Sequence, residues 1–379
     1  MVPELMQEWY KFLPNEASGK PVISFSTSVM FSSLRKSVEV NQAPTKFGNL
    51  EFTQDIITTG KKTISPGATI DTLSTIITPV NRYNYNDYIF QKALGTDNNI
   101  SISGGTDKTK YYASASYYKN EGIIKNTDFQ RYSFRVNLDQ TFSNAFSFNM
   151  GLNFVNSKAN EKPDGNSFFS PMNSINIIGN FHDIFARDAV GNLKTISSLG
   201  RVNPISVIED IKQQQETNRV LANVGVKFKP IKGLSIDYTI GIDQYTQRGQ
   251  TLIPPYAYEV AQSSFGGSTK DNPTEPTLNG YASTATNNFF QINNDVNITY
   301  QLDITKDINS TTQVGYTVQY EKNLYSSIQG RGIPLFLQTV NTASTPLLSS
   351  DSRNEISVSG AFVQQNFKFK NQFFLTGAL

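Results

Sequence analysis

Two runs between residues 132 and 154 alternate apolar and polar side chains. Tyr132, Phe134, Val136, Leu138 and Phe142 hold one set of positions in the first run, and Ser133, Arg135, Asn137, Asp139 and Thr141 hold the other. Phe146, Phe148, Met150, Leu152 and Phe154 repeat the scheme in the second run, against Ser147, Asn149, Gly151 and Asn153. Successive strand residues point to opposite sides, so each run has one apolar and one polar face. A half-buried soluble hairpin would satisfy that pattern alone. Here it recurs along the whole chain, on strands too long for most soluble sheets. The expectation is an all-β chain forming a transmembrane antiparallel β-barrel.

Period-2 stretches bounded by turn residues give about eleven strands. They fall near 22–32, 99–104, 110–118, 132–142, 146–154, 219–228, 234–245, 290–300, 313–321 and 355–369, with a last one at the carboxyl end. The connections alternate in length. Short turns fall at 105–109, 143–144, 230–233, 306–310 and 370–371; long ones fall at 33–98, 119–130, 157–218, 246–287 and 323–354. Outer-membrane barrels show this alternation of short periplasmic turns and long extracellular loops. Structureless loops of that length would argue against a compact soluble domain. In mid-strand the apolar positions carry no Asp, Glu, Lys or Arg, while Arg135, Asp139, Lys227, Asp237, Asp243 and Asp295 all take the opposite face. A Lys or Arg at the bilayer midplane would cost about 2–4 kcal/mol, so this segregation is what a lipid-facing surface requires.

Composition agrees. Only 38% of the 379 residues are hydrophobic, and mean hydropathy is -0.36, low for a soluble protein that must fill a core of this size. A barrel with a polar lumen needs apolar residues only at alternate positions. The 26 Phe and 18 Tyr suit interfacial girdles. Net charge is +2 without a basic stripe, so nucleic-acid binding has no electrostatic support. There are no cysteines, hence no disulfides and no thiolate metal site. No apolar run approaches the roughly 20 residues of a spanning helix. The first residues, 1–18, read as an atypical leader without a basic n-region, an apolar h-region or a cleavage site. An outer-membrane barrel needs a secretory signal, so the chain reads as a piece of a longer protein.

No enzyme signature is present, and the expected site residues include no catalytic, cofactor-binding or metal-binding side chain. His182, beside Asp183 in a long loop, reads as a solvated histidine rather than a ligand. Gly104 and Gly105 lack a following Gly-Lys-Ser/Thr and read as turn residues, not as a phosphate loop. Gly266 and Gly267 read as a loop tip, and the oxygen-rich stretch 271–276 does not have EF-hand spacing. Asp237 and Asp243 sit six positions apart, about 20 Å along a strand, too far for paired acid–base work; hydration of a polar lumen is the expectation for both. Phe168, Phe169, Tyr256 and Tyr258 are aromatic enough to stack on sugar rings or to pack beneath loops, and the sequence does not separate these.

The stretch 98–114 (NNISISGGTDKTKYYAS) and its continuation 117–127 (YYKNEGIIKNT) resemble the SusC/RagA family of TonB-dependent outer-membrane transporters of Bacteroidetes. So does 129–139 (FQRYSFRVNLD). The residues carrying the resemblance are Gly104, Gly105, Tyr112, Gly122, Asn126, Phe129, Arg131, Arg135 and Asn137. Residues 19–25 resemble the first barrel strand after a plug, and 230–235 a periplasmic turn. The resemblance assigns 19–379 to the first half of a barrel of 22 strands, a size that encloses a plugged lumen. It implies nutrient import, of oligosaccharides or peptides, with a SusD-like lipoprotein, the TonB complex and outer-membrane lipid as partners. The plug that TonB engages, and the signal peptide before it, are not seen in this chain. Two other readings stand beside this one: a siderophore-type receptor or passive porin, and, in a different class, a soluble or surface β-protein for adhesion or glycan binding.

Overall fold

The computed structural model describes residues 19–47, 77–167, 169–187, 189, 191, 193, 196, 202–255, 280–334, 336–347, 349–370 and 372–379. The expectations for 1–18, Phe168, Tyr256, Tyr258, Gly266, Gly267 and 271–276 lie outside these residues.

In chain order the strands are β1 (Gly19–Ser32), β2 (Thr45–Phe47), β3 (Ile77–Pro79), β4 (Ala93–Gly105), β5 (Thr109–Glu121), β6 (Asp128–Thr141) and β7 (Phe146–Glu161). They continue as β8 (Lys212–Phe228), β9 (Leu234–Ile253), β10 (Tyr281–Asp303), β11 (Ile308–Arg331), β12 (Thr345–Pro346), β13 (Ser350–Phe369) and β14 (Phe373–Ala378). Among the described residues three short α-helices, α1 (Asn86–Ile89), α2 (Pro171–Asn176) and α3 (Pro204–Glu209), lie in the long connections. Apart from the small β2–β3 pair, all strands join one antiparallel sheet, ordered β1-β4-β5-β6-β7-β8-β9-β10-β11-β13-β14, with β12 attached to β11. The eleven strands of that path correspond one for one to the eleven expected. Each is hydrogen-bonded to the next along the chain, the up-and-down order of a barrel wall.

Register carries the alternation from strand to strand. Ile23, Ile102, Ala113, Val136, Leu152, Ala222, Ile242, Ile292 and Tyr320 are successive partners across nine strands, all on one face. One residue along, the row Ser24, Ser101, Ser114, Arg135, Asn153, Leu221, Asp243, Gln291 and Glu321 runs across the other face. β13 interrupts the order. Its partnering of Tyr320 with Ser357 and of Gly315 with Phe362 puts apolar side chains on both of its sides, which accounts for its irregular sequence pattern.

The apolar face has no protein layer against it among the described residues. Phe25, Ile100, Phe134, Phe154, Val314 and Tyr316 stay between 41% and 67% exposed. A β-sandwich would bury that face against a second sheet; exposed over ten strands, it is a surface for lipid. No helix among the described residues is long and apolar enough to cross a membrane. Crossing falls to the strands.

Most strands are longer than the alternation implies, chiefly at the long-loop end. β10 has 23 residues and β11 has 24, against the ~9–11 needed to span a bilayer. On the apolar face of β10 the greasy positions run from Phe290 to Tyr300, interrupted by Asn294. That is about 34 Å of strand, or roughly 26 Å of height at a ~40° tilt, the thickness of a barrel's apolar band. Beyond Phe290 both faces turn polar and the alternation vanishes, yet cross-strand hydrogen bonding continues. The extension stands above the bilayer.

Turns at the other end are tight. Ser143 Oγ accepts from the amides of Ala145 and Phe146, at 3.2 and 3.1 Å, closing β6 onto β7. Gly233, at φ +85°, faces the Gln301 carbonyl so closely that a Cβ would collide with it, and its own carbonyl accepts from the Gln301 amide at 2.7 Å. Only glycine meets both demands.

Candidate functional site

Among the described residues the buried core lies in the loops rather than in the sheet. Tyr85, Ile89, Ile175, Ile184, Ile205 and Ile208 form one cluster, and Phe169, Val207, Ile211, Ile253 and Tyr281 another. Ile253 ends β9 and Tyr281 begins β10, so the second cluster seats a cap on the extended strands. Connections expected to be structureless therefore build this cap. Both of its longer helices open on a capping side chain followed by proline. Ser170 precedes Pro171, and the Asn203 side chain accepts from the Ile205 amide at 2.8 Å ahead of Pro204. Proline at the first helical position loses only an amide that has no partner there. Those pairs, Ser-Pro and Asn-Pro, are the legible signal for α2 and α3, and strand periodicity does not register them.

Hydrogen bonds tie three of the long connections together, 33–98, 119–130 and 157–218. Arg82 donates to Asn180 Oδ1, Ala43 O and Thr45 O at 2.8, 2.8 and 3.0 Å. The Tyr85 hydroxyl lies 2.9 Å from Gly179 O and 2.7 Å from His182 O, and donates to one at a time. Tyr88 donates to Glu209 Oε1 at 2.5 Å, Asn126 Nδ2 to Ile208 O at 3.1 Å, and Lys162 Nζ to Ile211 O at 2.5 Å. Burial sets the electrostatics of this cap. It pushes the Tyr85 phenol up, and the Tyr88 phenol likewise, with the Glu209 hydrogen bond adding to the second. It brings the Lys162 ammonium down to about 8 against the pull of Asp210 and Glu209, and it raises the Asp210 carboxyl. His182 is half-buried in this cap, its ring 4.3 Å from that of Phe181; the expectation of a solvated loop side chain gives way to a packed one. Phe169 is 1% exposed and packs beneath the loops.

Below the cap, the polar face of β8–β10 carries a compact constellation. Arg219 meets Asp243 with two hydrogen bonds, Nε to Oδ1 at 2.8 Å and Nη2 to Oδ2 at 2.5 Å. Its guanidinium carbon lies 5.9 Å from the Tyr245 ring centroid, and Tyr245 stacks on Phe289 at 4.9 Å and 15°. Lower on the same face Lys227 pairs with Asp237 at 3.0 Å. Both carboxylates expected to be merely hydrated are thus held by cations of β8, because antiparallel register sets Lys227 opposite Asp237 and Arg219 diagonal to Asp243. What this offers a solute is a neutralised ion pair beside a flat aromatic surface, suited to holding a ligand rather than to breaking bonds.

The family-motif residues divide among three places. Gly104 and Gly105 end β4 at the short-turn side; Gly105 has φ +154°, and a Cβ on Gly104 would press on the Tyr111 ring and Pro21. Tyr112, Arg135 and Asn137 line the polar face in mid-wall. At the long-loop end, Gly122 gives its amide to Thr127 O at 2.8 Å and leaves no room for a Cβ beside the Thr127 side chain. There Asn126 takes φ +59° and reaches the Ile208 carbonyl of α3. Arg131 sits 5.6 Å over the Tyr118 ring, which lies 6.0 Å from Phe129. The motif is a structural one, shaping a hairpin and its junction with the cap; Arg219, Asp243, Tyr245 and Phe289 stand outside it.

No family model matches the chain. Among curated proteins it is 25% identical over 193 residues to the TonB-dependent receptor SusC of Bacteroides thetaiotaomicron, covering 46% of this chain and 19% of that protein. It is 25% identical over 176 residues to the TonB-dependent receptor P3 of Formosa agariphila, covering 44% of this chain and 17% of that protein. Among solved structures, the RagAB peptide transporter matches with a TM-score of 0.65 at 16% identity, over 95% of this chain and 42% of that one. The RagAB peptide importer in its open-open state matches with 0.66 at 17% identity. The matched stretch thus spans less than half of each relative's own length. The chain is similar to part of SusC/RagA-type TonB-dependent receptors and has the fold of an outer-membrane β-barrel wall, and its named relatives are receptors and transporters.

Proposed function

We propose that the chain is the wall and extracellular cap of an outer-membrane importer that takes up oligosaccharides or peptides by TonB-dependent transport. The observation that carries the reading is the pairing of two continuous rows, one apolar and open to lipid, one polar and facing inward, on a sheet crowned by packed loops. A nutrient entering from outside meets the cap first and then the polar face beneath it, where Arg219, Asp243, Tyr245 and Phe289 stand. Loops held on a rigid wall are where such proteins place ligand contacts. In this reading residues 19–379 supply barrel wall, five long loops and short periplasmic turns. A plug contributed by the rest of the protein receives the pull of TonB, and a SusD-like lipoprotein covers the outer mouth. Likeness to SusC and to the RagAB transporter supports the assignment, and the exposed apolar face weighs against a soluble adhesin or glycan-binding β-protein.

The test is uptake. Cells lacking the gene should lose accumulation of either a fluorescent oligosaccharide or a fluorescent peptide, and an uncoupler of the proton-motive force should abolish the same uptake in wild-type cells. Uptake that survives the uncoupler would point to passive passage and overturn the TonB-dependent reading.

A further inference from the structure

Two opposite charges of the polar face, Asp97 and Arg131, share one register row: Ser28, Asp97, Tyr118, Arg131 and Ser157, on β1 and β4 to β7. The row lies four residues from Ser101 and Arg135 toward the long-loop end, about 13 Å along the strands. It therefore sits just beneath the β5–β6 hairpin, which Asn126 joins to the cap. The Arg131 guanidinium rests over the Tyr118 ring, a contact that steadies its charge and leaves its N–H donors free. Among the described residues neither Arg131 nor Asp97 belongs to an ion pair, whereas Arg219 with Asp243 and Lys227 with Asp237, on the same face, are closed pairs.

The side chains around these two charges are small. Ser28 and Ser157 flank the row, and two residues nearer the short-turn end the same strands carry Ser26, Asn99, Ser116 and Ser133. The wall there is a low shelf of hydroxyls and one amide. Tyr118 and Phe129, their rings 6.0 Å apart, bound it on the side of the cap.

We infer that this row is a docking subsite for short peptides with free termini, two or three residues long. It rests on the import reading above and narrows its two solute classes to one. Asp97 and Arg131 stand two strands apart, about 10 Å, and an extended tripeptide is roughly 10 Å long. The peptide's ammonium meets Asp97, and its carboxylate takes the planar donors of Arg131. Its backbone amides lie on the serine shelf, and an apolar middle side chain packs against Tyr118 and Phe129. A neutral oligosaccharide uses neither charge, and an acidic one uses only the arginine. A zwitterion of this length uses both.

The test titrates the tripeptide Ala-Phe-Ala into the complete receptor, purified in detergent, with calorimetric readout. Amidation of its carboxylate, or acetylation of its ammonium, should each weaken binding roughly tenfold. In Arg131→Gln the free and amidated peptides should bind alike, with the preference for a free ammonium kept. In Asp97→Asn the free and acetylated peptides should bind alike, with the preference for a free carboxylate kept. A side chain that merely supports the fold would weaken every peptide equally. The blocked peptides put the question to the unaltered protein, so it is answered even where a variant misfolds. No binding of Ala-Phe-Ala, equal binding of free and blocked peptides, or variants that lose both preferences together would overturn the subsite. Any of these results with uncoupler-sensitive uptake intact leaves the import reading standing, whereas absence of that uptake removes the import reading itself.

Discussion

Asp243 is 8% exposed, and its carboxylate is held by a bidentate guanidinium from the neighbouring strand. Arg219→Ala would leave that charge without its cation, at a cost of about 1–3 kcal/mol. The double variant Arg219→Met with Asp243→Leu should cost less than Arg219→Ala alone, since neither partner is then stranded. Urea unfolding in detergent micelles reads both, and the opposite ranking would mean the pair is not the strut described. Asn126 is the second informative residue. Its φ of +59° suits asparagine and glycine. Asn126→Gly keeps the turn and loses the bond to Ile208 O, about 0.5–1.5 kcal/mol. Asn126→Val adds backbone strain of about 1–3 kcal/mol. Limited proteolysis of the 162–211 connection should speed up for both, and more for valine.

At the scale of elements, strands and cap answer to different physics. The eleven strands are legible because lipid on one side and polar solvent on the other impose a period of two on every membrane-spanning segment. Their upper extensions are not, since above the bilayer polar residues take both faces, as in 212–218 of β8, and the period disappears. The cap escapes any reading by period because its core comes from isoleucines scattered irregularly through the connections, such as Ile89, Ile184 and Ile208. Of the polar-face constellation, Asp243 is visible in the sequence as a lumenal charge, but its union with Arg219, Tyr245 and Phe289 depends on register between three strands. The cap also makes a prediction about pH. Lys162 titrates near 8 in the fold against 10.5 when unfolded. The unfolded state therefore holds the extra proton between those values, and the cap gains stability as pH rises from about 8. Tyr85 and Tyr88 are raised from 10.0 in the fold, so their contribution is complete below 10 and fades above it. Hydrogen exchange in 162–211, corrected for intrinsic rates, should show protection peaking near pH 10. Lys162→Met should flatten the rise and spare the fall.

The whole molecule is a division of labour between a sheet that keeps its apolar side chains exposed and a cap that buries its own. That arrangement is stable only where lipid covers the sheet, and the up-and-down order leaves every interior strand hydrogen-bonded on both sides, as a bilayer demands. The absence of cysteine from all 379 residues makes this directly testable, because single cysteines can be introduced without a competing thiol. The decisive measurement is a scan along β10 in native outer membranes. Labels at Ile292, Val296 and Ile298 should be quenched by brominated lipid and shielded from a charged aqueous maleimide, whereas Asn293 and Asn297 should show the reverse. A period of two in phase with these positions is what the barrel wall predicts; uniform aqueous labelling, or an alternation of opposite phase, would contradict it.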